Sequence, residues 1–156
     1  MEIQVKFVPK MRVAFVRHVG PYQECAPAWE KLAGWAGPKG LFTPAAKALG
    51  LCHDDPGETP PEKIRYDACL TVGADVEPEG EVGVKEIAGG EYVIATHKGP
   101  YDKLMDVYME LYGRWIPENG REYTMDPCFE VYVNDPHTTP PEELITEVYV
   151  PLKPKG

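Results

Sequence analysis

Residues 18–22 read His-Val-Gly-Pro-Tyr, and residues 97–101 read His-Lys-Gly-Pro-Tyr, a shift of 79 positions. The match extends outwards. VKFVPKMRVAFVRHVGPY (5–22) lies over VKEIAGGEYVIATHKGPY (84–101). Each copy reads as a short strand, a turn, a second strand and a strand-to-helix junction. Gly20 and Gly99 permit a tight turn, and Pro21 and Pro100 suit the first turn of a helix. His18 and His97 are expected to be structural residues at a strand end, since no second metal ligand stands at helical or strand spacing beside either.

The stretches after each junction repeat as well. Tyr22, Cys25, Ala26, Trp29, Leu32, Ala33 and Ala36 share a helical face. Tyr101, Leu104, Met105, Tyr108, Leu111, Tyr112 and Trp115 occupy the same rungs in the second copy. Both stripes follow the 3.6-residue period of a helix with one buried face. A further match shifts by 80: DDPGETPPEKIRYDACL (54–70) over NDPHTTPPEELITEVYV (134–150). Its Pro-Pro pair excludes helix and central strand, so it predicts a fixed connector into a strand.

Each half thus reads strand, strand, helix, strand, connector, strand. A short extra helix is expected over Phe42 to Leu49, starting at Thr43-Pro44. The fold expected is α+β: two duplicated strand-helix-strand-strand modules, an antiparallel curved sheet, two long helices on one face and a central ligand groove on the other. Pseudo-repeats at about residues 3–76 and 82–153 are expected to form one domain over 1–156, because half the chain would expose a sheet edge.

With 156 residues, the chain can bury about two-thirds of its unfolded surface without metal or disulfide staples. The net charge of −9 and the lack of a Lys/Arg cluster argue against direct nucleic-acid binding. Cys25, Cys52, Cys69 and Cys128 form no C-x-x-C pair and read as packed, reduced thiols. No signal peptide or membrane-length apolar run is evident, so the expected location is cytoplasmic, with no membrane contact. No G-x-S-x-G, G-x-G-x-x-G or P-loop occurs, and neither a cofactor nor a metal is expected.

Strand alternation sorts the remaining side chains. Val148, Val150 and Leu152 should face the helices, leaving Glu147 and Tyr149 on the other face. Ala68, Leu70 and Val72 should likewise leave Asp67 and Cys69 there, with Asp67 aligned on Glu147. In the strand at 129–133, Tyr132 is assigned to the face away from the helices, as are Phe15 and Tyr92. Trp35 and Trp115 are expected at the rim. Aromatic rings around one or two acids suit a flat, apolar, often cationic small molecule.

These residues carry a resemblance. His97-x-Gly-Pro-Tyr101, HDDPGETPPEKIRYDACLTV (53–72) and PCFEVYVNDPHTTPPEELITEVYVPLK (127–153) are similar to the GyrI-like small-molecule-binding domain. That is the effector-binding domain of AraC-type and MerR-type regulators, also found alone in gyrase-inhibitory proteins. The resemblance implies a hydrophobic pocket and an acid that pairs with cationic drugs, carried here onto Glu147. It implies three alternatives. The first is a stand-alone domain, with no room for a helix-turn-helix, that binds amphipathic and cationic small molecules. The second is a hydrolase opening cyclopropane-bearing genotoxins, with Glu147 acting on water and Asp67 assisting. The third is a protein that touches gyrase or a regulator. The sequence leaves monomer and dimer open.

Overall fold

A computed structural model describes residues 1–54 and 58–154. Eight strands are defined: β1 (Glu2–Val8), β2 (Met11–Val19), β3 (Ala48–Cys52), β4 (Arg65–Thr71), β5 (Gly83–Ile87), β6 (Gly90–Lys98), β7 (Cys128–Tyr132) and β8 (Ile145–Pro151). The helices are α1 (Ala26–Ala36), α2 (Leu104–Glu110) and the single turn α3 (Ile116–Glu118), with a π-turn over Leu111–Trp115 between the last two. The class is α+β with antiparallel pairing, and the duplicated order of elements is the one expected.

The contacts divide the chain into two compact units, and these do not coincide with the repeats. The first comprises Met1–Pro9 and Gly89–Gly156, the second Lys10–Ala88. The reason is an exchange of strands. β1, which opens the first repeat, pairs along its whole length with β6 of the second, from Glu2 opposite Thr96 to Val8 opposite Gly90. β5, which opens the second repeat, pairs with β2 of the first. Within the first unit the strand neighbours run β1, β6, β8, β7; within the second they run β3, β4, β2, β5.

Each unit packs its helix on one sheet face. In the second unit, Ala28, Leu32 and Ala36 of α1 are buried with Ala14, Val16, Tyr66, Ala68 and Leu70. In the first, Leu104, Val107, Leu111 and Ile116 are buried with Val93, Ala95, Val148, Val150 and Leu152. The alternation expected for β4 and β8 is therefore the one observed. Each fully buried leucine contributes about 1.5–3 kcal/mol through removal from water. The helical stripes differ in detail: Val107 is buried, whereas Met105 is exposed, as are Ala26 and Ala33.

Both junctions are built alike. The Nε2–H of His18 donates to the Pro21 carbonyl at 2.9 Å, and that of His97 to Pro100 at 3.2 Å, which satisfies both rings locally. Gly20 N–H donates to Ile64 O, and Gly99 N–H to Leu144 O, both at 2.8 Å. The two prolines do not sit inside helices. Pro21 (ψ 141°) and Pro100 (ψ 152°) are extended and precede 3₁₀ turns at Tyr22–Glu24 and Tyr101–Lys103. Continuous α-helix begins only at Ala26, where Pro27 takes an early helical position whose N–H is not needed.

Gly20 and Gly99 have φ of +139° and +140°, a region that L side chains rarely adopt. A Cβ at Gly20 would meet nothing closer than the His18 ring at 3.5 Å, so the constraint is backbone conformation and not space. Gly20→Ala is expected to cost about 1–3 kcal/mol, read as a lower urea midpoint at unchanged slope.

The extra helix expected at Phe42–Leu49 is absent. One turn at Thr43–Ala46 is followed by β3, whose Ala48–Cys52 pair with β4. The ladder to β4 satisfies backbone groups that a short helix led by Pro44 could not, so pairing overrides local preference. The Pro-Pro connectors form 3₁₀ turns at Pro61–Lys63 and Pro141–Glu143. Asp54 accepts from Arg65 N–H, and Asn134 from Ile145 N–H, both at 2.8 Å. Of the Asp-Pro motif in the first connector, Asp55, Pro56 and Gly57 lie outside the described residues.

Candidate functional site

The first unit carries an aromatic cluster on the face away from α2. Register places Tyr92 and Ile94 of β6, Glu147 and Tyr149 of β8, and Phe129 and Val131 of β7 together there. Phe129 and Tyr149 stack at 4.6 Å and 16°. Tyr92 meets both edge-on, at 5.4 Å and 6.0 Å. Such pairs contribute about 0.5–1.5 kcal/mol beyond their area, so the three rings hold one another in place. Glu147 stands two residues from Tyr149, half-buried, opposite Thr96 and Val131.

Electrostatics keep both phenols neutral at ordinary pH. Burial pushes the Tyr92 hydroxyl up to about 12, with the charge of Asp126 adding to the effect. Burial also raises Tyr149, and the charge and hydrogen bonding of Glu147 raise it further. Glu147 makes no salt bridge among the described residues. A carboxylate without a cation beside neutral, electron-rich rings can pair with a positive charge while the rings stack on its apolar body.

The aligned acid behaves differently. Asp67 sits on the face of β4 opposite α1, as does Phe15 of β2, which pairs with Cys69. Asp67 is fully buried, and Arg17 Nε and Nη2 grip it at 2.8 and 3.1 Å. His53 Nε2 reaches Oδ2 at 2.6 Å and Lys85 Nζ reaches it at 2.5 Å. His53 therefore donates through Nε2, and its 3.2 Å approach to Arg17 Nη2 is a contact of two donors. Burial works to raise the Asp67 pKa, but the hydrogen bonds from His53, Arg17 and Lys85 and the Lys85 charge outweigh it and hold the carboxyl well below its usual range. Four donors fill the roughly four lone-pair sites of a carboxylate. Asp67 is thus spent on its own unit. Lys85 also lies 4.1 Å over the Phe15 ring, so that ring already faces a cation. Burial, followed by the Asp67 charge, raises the Cys69 thiol, which keeps it protonated and unreactive.

The contrast has a sequence cause. In the repeat alignment, Arg17 and His53 correspond to Thr96 and Val133. Two of the three residues that hold Asp67 thus have no charged equivalent beside Glu147, while the third, Lys85, aligns with Lys6, which pairs in register with Tyr92.

Tyr132 is a correction. It pairs with Thr146 on the helix-facing side, and its hydroxyl donates to Glu130 at 2.8 Å. Tyr108 of α2 donates to the other Glu130 oxygen at 2.5 Å, and the Tyr101 ring packs edge-on against Tyr132 at 5.6 Å. Phe129 and Val131 take the opposite face instead. β7 is buried on both faces, so alternation could not tell its sides apart. Glu130 was missed for the same reason; an acid between two buried apolar residues was the available signal. Burial raises its pKa against the two tyrosine hydrogen bonds.

Neither tryptophan lies in the ring cluster. Trp35 of α1 donates its indole N–H to Glu79 at 2.8 Å and carries Lys39 over its ring. Trp115 ends the π-turn and packs against the helix-side core of the first unit. Among the described residues, no group of three His, Cys, Asp or Glu could hold a metal, and no helix is long and apolar enough to cross a membrane. The structure thus brings together Glu147, Tyr149 and Tyr92, adds Phe129, and leaves Tyr132, Trp35 and Trp115 elsewhere.

Known proteins share this architecture. The chain is 30% identical over 159 residues to the DNA gyrase inhibitor of Escherichia coli strain K12, covering 99% of both. The EcmrR C-terminal domain superposes with a TM-score of 0.78 at 24% identity, covering 97% of each chain. SAV2435, solved bound to tetraphenylphosphonium, superposes with a TM-score of 0.65 at 22% identity, covering 98% of this chain and 94% of that one. The sequence pattern of the GyrI-like small molecule binding domain matches residues 1–153, and the chain belongs to that family.

Proposed function

We propose that this protein binds amphipathic, cationic small molecules on the first unit, with Glu147 pairing the charge and the half-buried Tyr149 ring forming the wall, held in place by the buried rings of Tyr92 and Phe129 behind it. The observation that carries this reading is a carboxylate without a salt bridge beside three mutually packed rings. The Tyr149 face offers a cation about 0.5–2 kcal/mol, depending on how dry the contact is. The tetraphenylphosphonium held by SAV2435, an apolar cation on a related fold, supports the same ligand class.

The test is a titration of rhodamine 6G followed by fluorescence anisotropy. Glu147→Gln keeps the shape and removes the charge. It is expected to weaken binding about tenfold, or about 1.4 kcal/mol. Equal affinity in the two proteins would remove Glu147 from the reading. A second reading, action on gyrase, is favoured by the likeness to the E. coli gyrase inhibitor. A supercoiling assay with purified gyrase checks it, and unchanged supercoiling at saturating protein dismisses it.

A further inference from the structure

Both helices close on a left-handed glycine, Gly40 and Gly120, but the second first passes through a π-turn, and its end lines a cleft. α2 passes through the π-turn Leu111–Trp115 into α3. Gly120, at φ +63°, then closes the helix. Asn119 N–H donates to Trp115 O, Gly120 N–H to Pro117 O, and Arg121 N–H to Ile116 O, all between 3.0 and 3.1 Å. The Asn119 side chain adds a second donor to Trp115 O at 2.8 Å. π-turns are rare and frequently occur at functional positions. This one brings Trp115, Asn119 and Arg121 against Val5 of β1 and Glu91 of β6. Together these five residues line a cavity of about 250 Å³. Glu91 pairs in register with Phe7 on the helix-facing side of the sheet, so the cavity is not on the face that carries Glu147.

Arg121 is the unusual member. Its side chain is only 6% exposed. Nη2 donates to Glu91 Oε1 at 2.5 Å and to the Lys153 carbonyl at 3.1 Å. A guanidinium has five N–H donors. Those on Nε and Nη1 meet no acceptor among the described residues. Nη2 is pinned by Glu91 and Lys153, and Arg121 lines the cavity together with Trp115. The spare donors are reached by solvent, and an incoming carboxylate would replace water there with charge-assisted hydrogen bonds.

We propose that this cleft binds a small aromatic carboxylate. The carboxylate accepts from the unused Arg121 hydrogens, and the ring lies against Trp115. The volume is below the roughly 300–1,000 Å³ of sites for drug-sized ligands, which fits a single ring with its acid group. The proposal is independent of the cation reading at Glu147. It concerns the opposite charge on the other sheet face, and the two titrations fail or succeed separately.

Benzoate is the probe, and the indole N–H signals of Trp29, Trp35 and Trp115 are the readout in ¹H–¹⁵N spectra, with Trp115→Phe assigning the third. Benzoate should shift the Trp115 signal saturably. Benzamide, of the same shape and without charge, should bind at least about tenfold weaker, the difference one charged contact makes. Arg121→Lys should cost benzoate a similar factor. Val5→Trp, on a half-exposed strand position, fills the cavity while keeping the Arg121 ion pair, and it should abolish the shift even if Arg121→Lys fails to fold. Equal binding of benzamide overturns the proposal. So does movement of the Trp29 or Trp35 signals alone, or the absence of a saturable shift at millimolar benzoate. Displacement of benzoate by inorganic phosphate at equal potency would remove the aromatic part.

Discussion

Replacing Asp67 with alanine is expected to lower the unfolding free energy by about 3–5 kcal/mol, because it leaves Arg17, Lys85 and His53 crowded together without their shared counter-charge. Two cations, Arg17 and Lys85, and the His53 N–H converge on a carboxylate of zero exposure, so water cannot take over its role. Arg17→Ala or Lys85→Ala should each cost much less, about 1–2 kcal/mol, since the carboxylate keeps its other partners. Urea denaturation followed by circular dichroism measures all three. Costs from Arg17→Ala and Asp67→Ala that proved equal would mean that the pair, and not the convergence, matters.

The same cluster sets an acid limit. The folded-state pKa of Asp67 is depressed, so its contribution is fully present above the unfolded value of about 3.9 and is lost as pH falls through the lower folded value. The wild-type urea midpoint should therefore decline below about pH 4. The Asp67→Ala protein should decline less steeply over that window, having no such carboxyl to protonate.

The second large effect concerns the ring cluster. Phe129→Ala removes a side chain of zero exposure that stacks on Tyr149 and meets Tyr92, and it should cost about 3–5 kcal/mol. Phe129→Leu retains most of the volume and should cost under about 1.5 kcal/mol. The leucine variant then separates stability from binding. It folds, but Tyr149 loses its stacking partner, so rhodamine 6G affinity should fall several-fold while the urea midpoint barely moves. Unaltered affinity in a folded Phe129→Leu protein would show that the stack serves the core alone.

Much of this architecture was readable along the chain. The glycine and proline junctions at 20–22 and 99–101, the strand faces of β4 and β8, and the Pro-Pro connectors all follow from short-range sterics and alternation. So did Glu147 and its neighbour Tyr149, whose common face is set by a two-residue spacing. The unequal fates of Asp67 and Glu147 were latent in the alignment, as Arg17 and His53 opposite Thr96 and Val133. Seeing them required knowing that β2 and β4 are neighbours and that the residue after β3 reaches their shared face.

Other features came from packing between distant segments. The repeat did not say which strands pair: β1 and β5 are exchanged between the copies, because a strand's partner is chosen by register and edge burial with no local signature. Tyr132 turned to the helix side because β7 is buried on both faces and a buried acid, Glu130, needed two hydroxyl donors, one of them from α2. Residues 42–49 gave up a marginal helix for a ladder on β4. Chain-local chemistry is complete within a few residues, and so it specifies junctions, turns and side-chain alternation. Strand partners and the pairing of buried charges depend on groups tens of residues apart, and only the folded chain brings those within hydrogen-bonding distance.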